Sequence, residues 1–311
     1  MATGIEQRLN DIYRRLGSVT PPESITQSVF ETDQMHLERL AALGPGECAS
    51  VWDLADYMDE LLYRDIQTSL LVHVLPSCLR SWHEYLRNET FECPGFAELF
   101  YTVLKKKDTF AGILTVDQRQ AVWEFMRGSI LEEIDAQDRL RFEGYPAAPY
   151  RWIRALMTRG VIASDMEHLW MDWWSVRTIG RAVAAVQYVS CLVYPKNANP
   201  VFAPYTREKG GGPPCLWAFD GYSNDCNWKT QNVEFLQKLF RDRQIVISVI
   251  QQAIDRLSQN GGFGTAQQLL ADLQLPSANL KLRGPAETLS ERLLALPEIL
   301  AEPRNTYLWP D

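Results

Sequence analysis

A chain of 311 residues, 46% hydrophobic and carrying ten tryptophans, holds enough apolar material for one large domain or two of ordinary size, which excludes a disordered chain. Its formal net charge is −8, and no basic stripe extends beyond Lys105-Lys106-Lys107. Nucleic-acid binding needs a clustered positive field to neutralise phosphates, so nucleic acid is not an expected partner.

The N-terminal run MATGIEQRLNDIYRRLG lacks the basic-then-apolar order of a signal peptide, and a cytoplasmic location is the expectation. It predicts an amphipathic helix with Ile5, Leu9, Ile12, Tyr13 and Leu16 on one side. Pro21-Pro22 breaks the pattern. A second helix is predicted from near Thr32, carrying Met35, Leu37, Leu40 and Leu43 to a stop at Gly44-Pro45-Gly46, with His36 in solvent. Ser50 reads as the cap of a third helix. Its apolar stripe is Trp52, Leu54, Ala55, Met58, Leu61 and Leu62, with Asp53, Asp56, Asp59 and Glu60 mostly opposite.

Ile66 to Leu86 is a further helical run, and Pro76 inside it is expected to kink or split it. Cys93-Pro94-Gly95 leads into a helix over Phe96–Leu104. The clearest helix start is Leu114-Thr115-Val116-Asp117-Gln118, in which Thr115 and Gln118 have the spacing of a capping box. A buried face of Val122, Trp123, Phe125, Met126, Ile130 and Ile134 follows. FEGYPAAP, residues 142–149, reads as a linker between an N-terminal half (1–143) and a C-terminal half (150–311), and Tyr150 to Met157 as a short helix.

Ser164 to Tyr194 is predicted as the buried central helix. From Ala182 onward nearly every side chain is apolar or small, the mark of a helix surrounded on all sides. A membrane span needs about 20 consecutive apolar residues, and Asp172, Arg177, Arg181 and Gln187 interrupt this one, so no membrane is expected. Ser164-x-x-Glu167 has capping-box spacing, and Tyr194-Pro195 closes the helix. Residues 195–230 form a long irregular loop. Gln231 to Leu257 is predicted as one amphipathic helix, ended by Asn260-Gly261-Gly262. Thr265 then caps a short helix to Leu273, and Leu289–Leu300 is the last. The fold class expected is all-α: an irregular multi-helix bundle of about ten helices around the central one.

Leu61-Leu62, the aromatic segment Trp82-His83-Glu84-Tyr85-Leu86 and the helix start Leu114-Thr115-Val116-Asp117-Gln118-Arg119 together resemble an uncharacterised bacterial family of helical domains, over about residues 52–133. Val116 stands where that family usually has proline. The resemblance implies helices and carries no activity.

Candidate chemistry is sparse. None of the six cysteines forms a C-x-x-C pair, which excludes a zinc ribbon or dithiol motif, and a reducing compartment is expected to keep them as thiols. Carboxylate-x-x-histidine spacing occurs at Asp33/His36 and at Asp165/His168, with Asp56, Glu60 and Glu84 as further carboxylates for a two-metal bundle. Capping and dipole roles explain Asp165 and Glu167 equally. No G-x-S-x-G elbow accompanies Cys78 and His83, or Cys215 and Cys226. Gly261-Gly262-Phe263-Gly264-Thr265 lacks the lysine of a phosphate loop, and DGYSNDCN lacks the acidic twelfth position of a calcium loop. No cofactor is expected.

What remains is aromatic. Trp170, Trp173 and Trp174 cannot all point one way, since successive helical residues lie about 100° apart, so Trp174 is a candidate to reach a partner. Trp217, Asp220, Tyr222, Asp225 and Trp228 in the loop, and Tyr307 and Trp309 in the tail, complete a candidate partner-binding set. The reading is a non-enzymatic interaction, regulatory or adaptor protein that binds a protein partner through an acidic, aromatic-bearing surface. The alternative is a helical small-molecule-binding or metal-dependent enzyme using Asp165 and His168.

Overall fold

The computed structural model describes residues 4–17, 21–26, 34–44, 47–87, 93, 95–105, 112–140, 148–149, 152–153, 166–193, 234–235, 238–239, 242–258 and 264–274. Among them there are ten helices and no strand, so the protein is all-α. No described helix is long and apolar enough to cross a membrane. The chain divides into two compact units, Met1–Ile130 and Leu131–Asp311. The division falls inside a helix, N-terminal to the linker expected at 142–149, of which only residues 148–149 are described.

In the first unit, α1 (Gly4–Leu16) buries Leu9, Ile12 and Leu16 and ends at Gly17. The φ of +82° there is one that glycine adopts without steric cost. Glu6 accepts two bonds from the Arg80 guanidinium, at 2.8 and 3.3 Å. That charge-assisted pairing holds its carboxyl below the ordinary range. Arg15 reaches Asp117 and Glu124 at 3.4 and 3.1 Å, while Arg8 lies over the Phe125 ring, 5.8 Å from its centroid.

The helix α2 (Gln34–Ala41) runs antiparallel to α3 (Val51–Tyr63): Arg39 forks onto both oxygens of Asp53, and His36 sits beside Glu60. Ser50 caps α3, accepting from the Trp52 amide. Next comes α4 (Thr68–Arg87), one helix of 20 residues that Pro76 does not split. The proline removes a hydrogen bond at a cost of about 3 kcal/mol in an otherwise unsupported helix. Burial of Leu71, Val74, Leu75, Cys78, Leu79 and Trp82 on both sides of it offsets that loss. In α5 (Gly95–Lys105) Phe96 stacks on Phe100, and Trp82 Nε1 donates to the buried Tyr101 hydroxyl at 2.7 Å.

The helix α6 (Val116–Asp135) starts as its sequence requires. The Thr115 amide donates to Gln118 Oε1 at 2.9 Å, and the Gln118 amide returns a bond to Thr115 Oγ1 at 3.3 Å. Val122, Trp123, Phe125, Met126, Ile130 and Ile134 are all buried.

The second unit corrects the central helix. Ser164–Tyr194 does not form one rod: the described part is α7 (Met166–Trp174) and α8 (Ile179–Val193). Between them Val176 takes a φ of +45°, a conformation a β-branched side chain adopts only under strain. The break is stabilised locally. Ser175 Oγ donates to the Asp172 carbonyl at 2.8 Å, and Thr178 caps α8 by accepting from the Arg181 amide. The end of α6 secures the same corner. Thr178 Oγ1 donates to Asp135 Oδ1 at 2.5 Å, and Arg181 holds both Asp135 oxygens at 3.0 Å. Arg181 also donates to the Asp172 carbonyl, tying down the end of α7.

Burial is as expected: every residue from Ala182 to Cys191 is inaccessible or nearly so. Against α8 pack α9 (Arg243–Ser258) and α10 (Gly264–Gln274). The helix predicted from Gln231 is interrupted at Asp242, whose carboxylate accepts from the Gln244 amide at 2.9 Å and so caps α9 as a new helix. The expected loop at 195–230, the cap at Ser164, the stop at Tyr194-Pro195 and the helix at Leu289–Leu300 lie outside the described residues.

Gly180 explains itself in this geometry. A Cβ there would stand 2.0 Å from the Ile134 carbonyl oxygen and 2.9 Å from Asp135 Cα, so α8 touches α6 backbone to backbone. A Cβ at Gly128 would meet only the flexible Arg8 side chain, at 2.9 Å from its Cδ. Gly180→Ala is therefore expected to destabilise by about 3 kcal/mol or more. Gly128→Ala, which gains helix propensity, should change stability by less than about 1 kcal/mol. Denaturant unfolding of the two variants checks the contrast.

Candidate functional site

Helix α3 sorts its side chains onto two faces by a one-residue offset. Asp53, Tyr57, Glu60 and Arg64, at helical spacing, turn inward; Trp52, Asp56, Asp59 and Tyr63 turn outward. Both outcomes depart from expectation at particular residues. Glu60, expected on the solvated side, is 0% exposed, and His36, expected in solvent, is 2% exposed. Trp52, expected in the apolar stripe, is 54% exposed, and on α2 Met35 is 68% exposed.

The inward face builds a polar cluster. Arg64 Nη2 pairs with Glu60 Oε2 at 2.8 Å, while His36 Nε2 stands 3.8 Å from Glu60 Oε1, beyond hydrogen-bond range. Burial pushes the neighbouring Tyr57 phenol far above its ordinary pKa and does the same to the Cys78 thiol, so both are neutral groups. Arg64 also reaches the Thr26 carbonyl at 3.5 Å. Gln67 fastens the same segment, accepting from the Thr26 amide and donating to the Ser24 carbonyl. Chemically the cluster is a clamp joining residues 24–26, α2 and α3 rather than an open site, because its three charged or titratable groups are closed off from solvent. The i, i+4 spacing of Glu60 and Arg64 was legible; that the pair faces inward depends on α2 supplying His36.

The outward face is acidic and aromatic. Trp52 and Tyr63, the latter 67% exposed, bracket Asp56 and Asp59 on successive turns. The only cation on the α2 side with a described link to this face is Arg39, whose fork is taken up by Asp53.

The sites named from sequence fare as follows. Trp174, the candidate to reach a partner, is 5% exposed and buried with its neighbours, which corrects that assignment. Trp170, Trp173, Trp174 and Tyr188 interlock with centroids 4.9–5.7 Å apart, and Phe235 adds an edge to Trp170 at 6.0 Å. The turn at Val176 brings α7 back over α8, so all three tryptophans find interior surface. Trp217, Asp220, Tyr222, Asp225, Trp228, Tyr307 and Trp309 lie outside the described residues, as do Asp33, Asp165, Cys215, Cys226 and Gly261-Gly262-Phe263. His168 is exposed on α7. Among the described residues no group of three or more His, Cys, Asp or Glu is arranged to hold a metal ion. Cys78 and His83 are both buried on α4, and His83 meets the Phe125 ring edge-on at 6.5 Å.

No family model, curated protein or solved structure matches the chain.

Two outcomes follow for the clamp. Glu60→Ala leaves the Arg64 charge buried without its carboxylate and is expected to cost about 3–5 kcal/mol, read by chemical denaturation. His73, on α4, has its pKa lowered by burial, with the Leu40 carbonyl partly opposing the shift. A depressed histidine pKa means the unfolded chain binds the proton first. Stability is thus present above the unfolded value of about 6.5 and is lost as pH falls through it toward the folded value. His73→Gln should flatten that part of the stability–pH curve relative to the parent chain.

Proposed function

We propose that this protein works by binding another protein rather than by catalysis, as an interaction, regulatory or adaptor module. The observation that carries the reading is the outer face of α3, where two large aromatic side chains stand in solvent at either end of an acidic run. Isolated exposed apolar residues are ordinary on any surface. Here Trp52 and Tyr63 share one helical stripe with Asp56 and Asp59, on a helix whose opposite face is fixed by the Arg39–Asp53 and Glu60–Arg64 pairs. Tryptophan and tyrosine anchors on a rigid element are the composition that concentrates binding energy at interfaces. The polar groups of the inward cluster are engaged in holding α2 and α3 together, which supports a structural role for them.

A cytoplasmic location belongs to the same reading, supported by Cys48, Cys78, Cys93 and Cys191 being free thiols. So does kinship of residues 52–133 with the uncharacterised helical family. The capping pair Thr115–Gln118 and the Trp82–Tyr101 bond show the quoted motif residues acting in helix initiation and packing.

Affinity capture with the parent chain and with a Trp52→Ser/Tyr63→Ser variant of unchanged melting temperature tests the proposal. A stoichiometric protein held by the parent and depleted at least about tenfold by the variant is the expected result. Equal retention by both chains, or no stoichiometric species at all, would refute it.

A further inference from the structure

We infer that the occupant of the α3 face is a cationic helical segment, bearing arginines one turn apart, from a protein partner. The inference rests on the binding reading above and specifies its chemistry. Trp52, Asp56, Asp59 and Tyr63 follow one another at intervals of four, three and four residues, so they line one side of the helix. From first to last the stripe spans about 16 Å at the helical rise, three turns of a partner helix lying alongside.

Charge selects the sign of that partner. Helix α3 contains four acidic residues and no lysine or arginine. Asp53 and Glu60 turn inward to Arg39 and Arg64, leaving Asp56 and Asp59 to set the potential of the outer face, with exposed Asp65 just beyond its end. The whole chain carries −8, which steers cations toward it and repels acidic segments.

Chemistry selects arginine within the cations. Carboxylates on neighbouring turns stand about 4.5 Å apart along the axis, the separation at which side chains at i and i+3 or i+4 of a facing helix project. A guanidinium forks onto a carboxylate and also stacks flat on an indole or phenol ring, whereas an ammonium supplies a point charge only. The stripe offers both kinds of receptor in alternation: ring, carboxylate, carboxylate, ring. Met35 is exposed on α2 one residue before His36, which faces Glu60, and so lies toward the Tyr63 end, where its flexible thioether can accommodate an apolar side chain of the same helix.

The test uses the full chain and labelled amphipathic helical peptides identical except for charge: arginines four residues apart, the same positions as glutamates, and the same positions as glutamines. Binding is read by fluorescence anisotropy at low and physiological salt. The arginine peptide is expected to bind and to weaken as salt is raised. Asp56→Asn/Asp59→Asn should weaken it about fivefold, and Trp52→Ala/Tyr63→Ala at least about tenfold, with melting curves unchanged. Equal binding of the glutamine or glutamate peptide, or failure of the arginine peptide to bind, overturns the cationic assignment. Either result leaves the broader reading to stand on its own capture experiment. Arginine-peptide binding that is indifferent to Trp52→Ala/Tyr63→Ala removes the α3 face itself, and both readings with it.

Discussion

A valine in a left-handed conformation between two helices is the constraint around which the second unit is arranged. Val176 costs on the order of 1–2 kcal/mol relative to ordinary helical geometry, and nothing in the local sequence demands the turn, since 166–179 contains neither glycine nor proline. What overrides the local preference is what the turn permits. It lays Trp170 and Trp173 against Tyr188, and full burial of each large side chain contributes about 1.5–3 kcal/mol. Those gains exceed the strain. Asp135 then secures the corner from outside by holding Thr178 and Arg181 together, and Gly180 makes that approach sterically possible.

The first unit solves a different problem. Its helices carry many charges, and an amphipathic surface alone would leave short α2, eight residues, only marginally attached. Attachment comes from paired charges: Arg39 with Asp53 at one end of the contact and His36 beside Glu60–Arg64 at the other. The two differ in consequence. Arg39 is half-exposed, so its pair is screened and contributes modestly. Glu60 and Arg64 are closed in, and their mutual dependence is strong even where their net contribution is small, because neither tolerates the loss of the other.

Helix identity was legible in sequence wherever local chemistry decides it. Thr115 and Gln118 announce a reciprocal cap and form one, Ser50 caps α3, and the periodic apolar residues of α6 are all buried. Errors cluster where tertiary packing outweighs a local signal. Pro76 did not split α4 because its neighbours are buried on both sides, and the periodicity of 166–193 concealed a turn maintained by Asp135, a residue distant in sequence. The candidate site was half legible. Its character, acidic with aromatics, follows from composition, yet the residues differ. Apolar periodicity assigns Trp52 to the core and carboxylate chemistry assigns Glu60 to water, and a rotation of one position reverses both.

That rotation also bears on what the α3 face can do. Were the helix turned to bury Trp52, Glu60 would be carried toward solvent, Arg64 would lose its buried partner and His36 its neighbour. The clamp therefore fixes the rotational setting of α3, and with it the exposure of Trp52, Asp56, Asp59 and Tyr63. A binding face held this way loses little freedom when a partner docks, which is where rigid anchors gain affinity over flexible ones. The buried charges and the exposed aromatics are thus one arrangement: the inward pairs spend stability on orientation, and orientation is what a recognition surface needs.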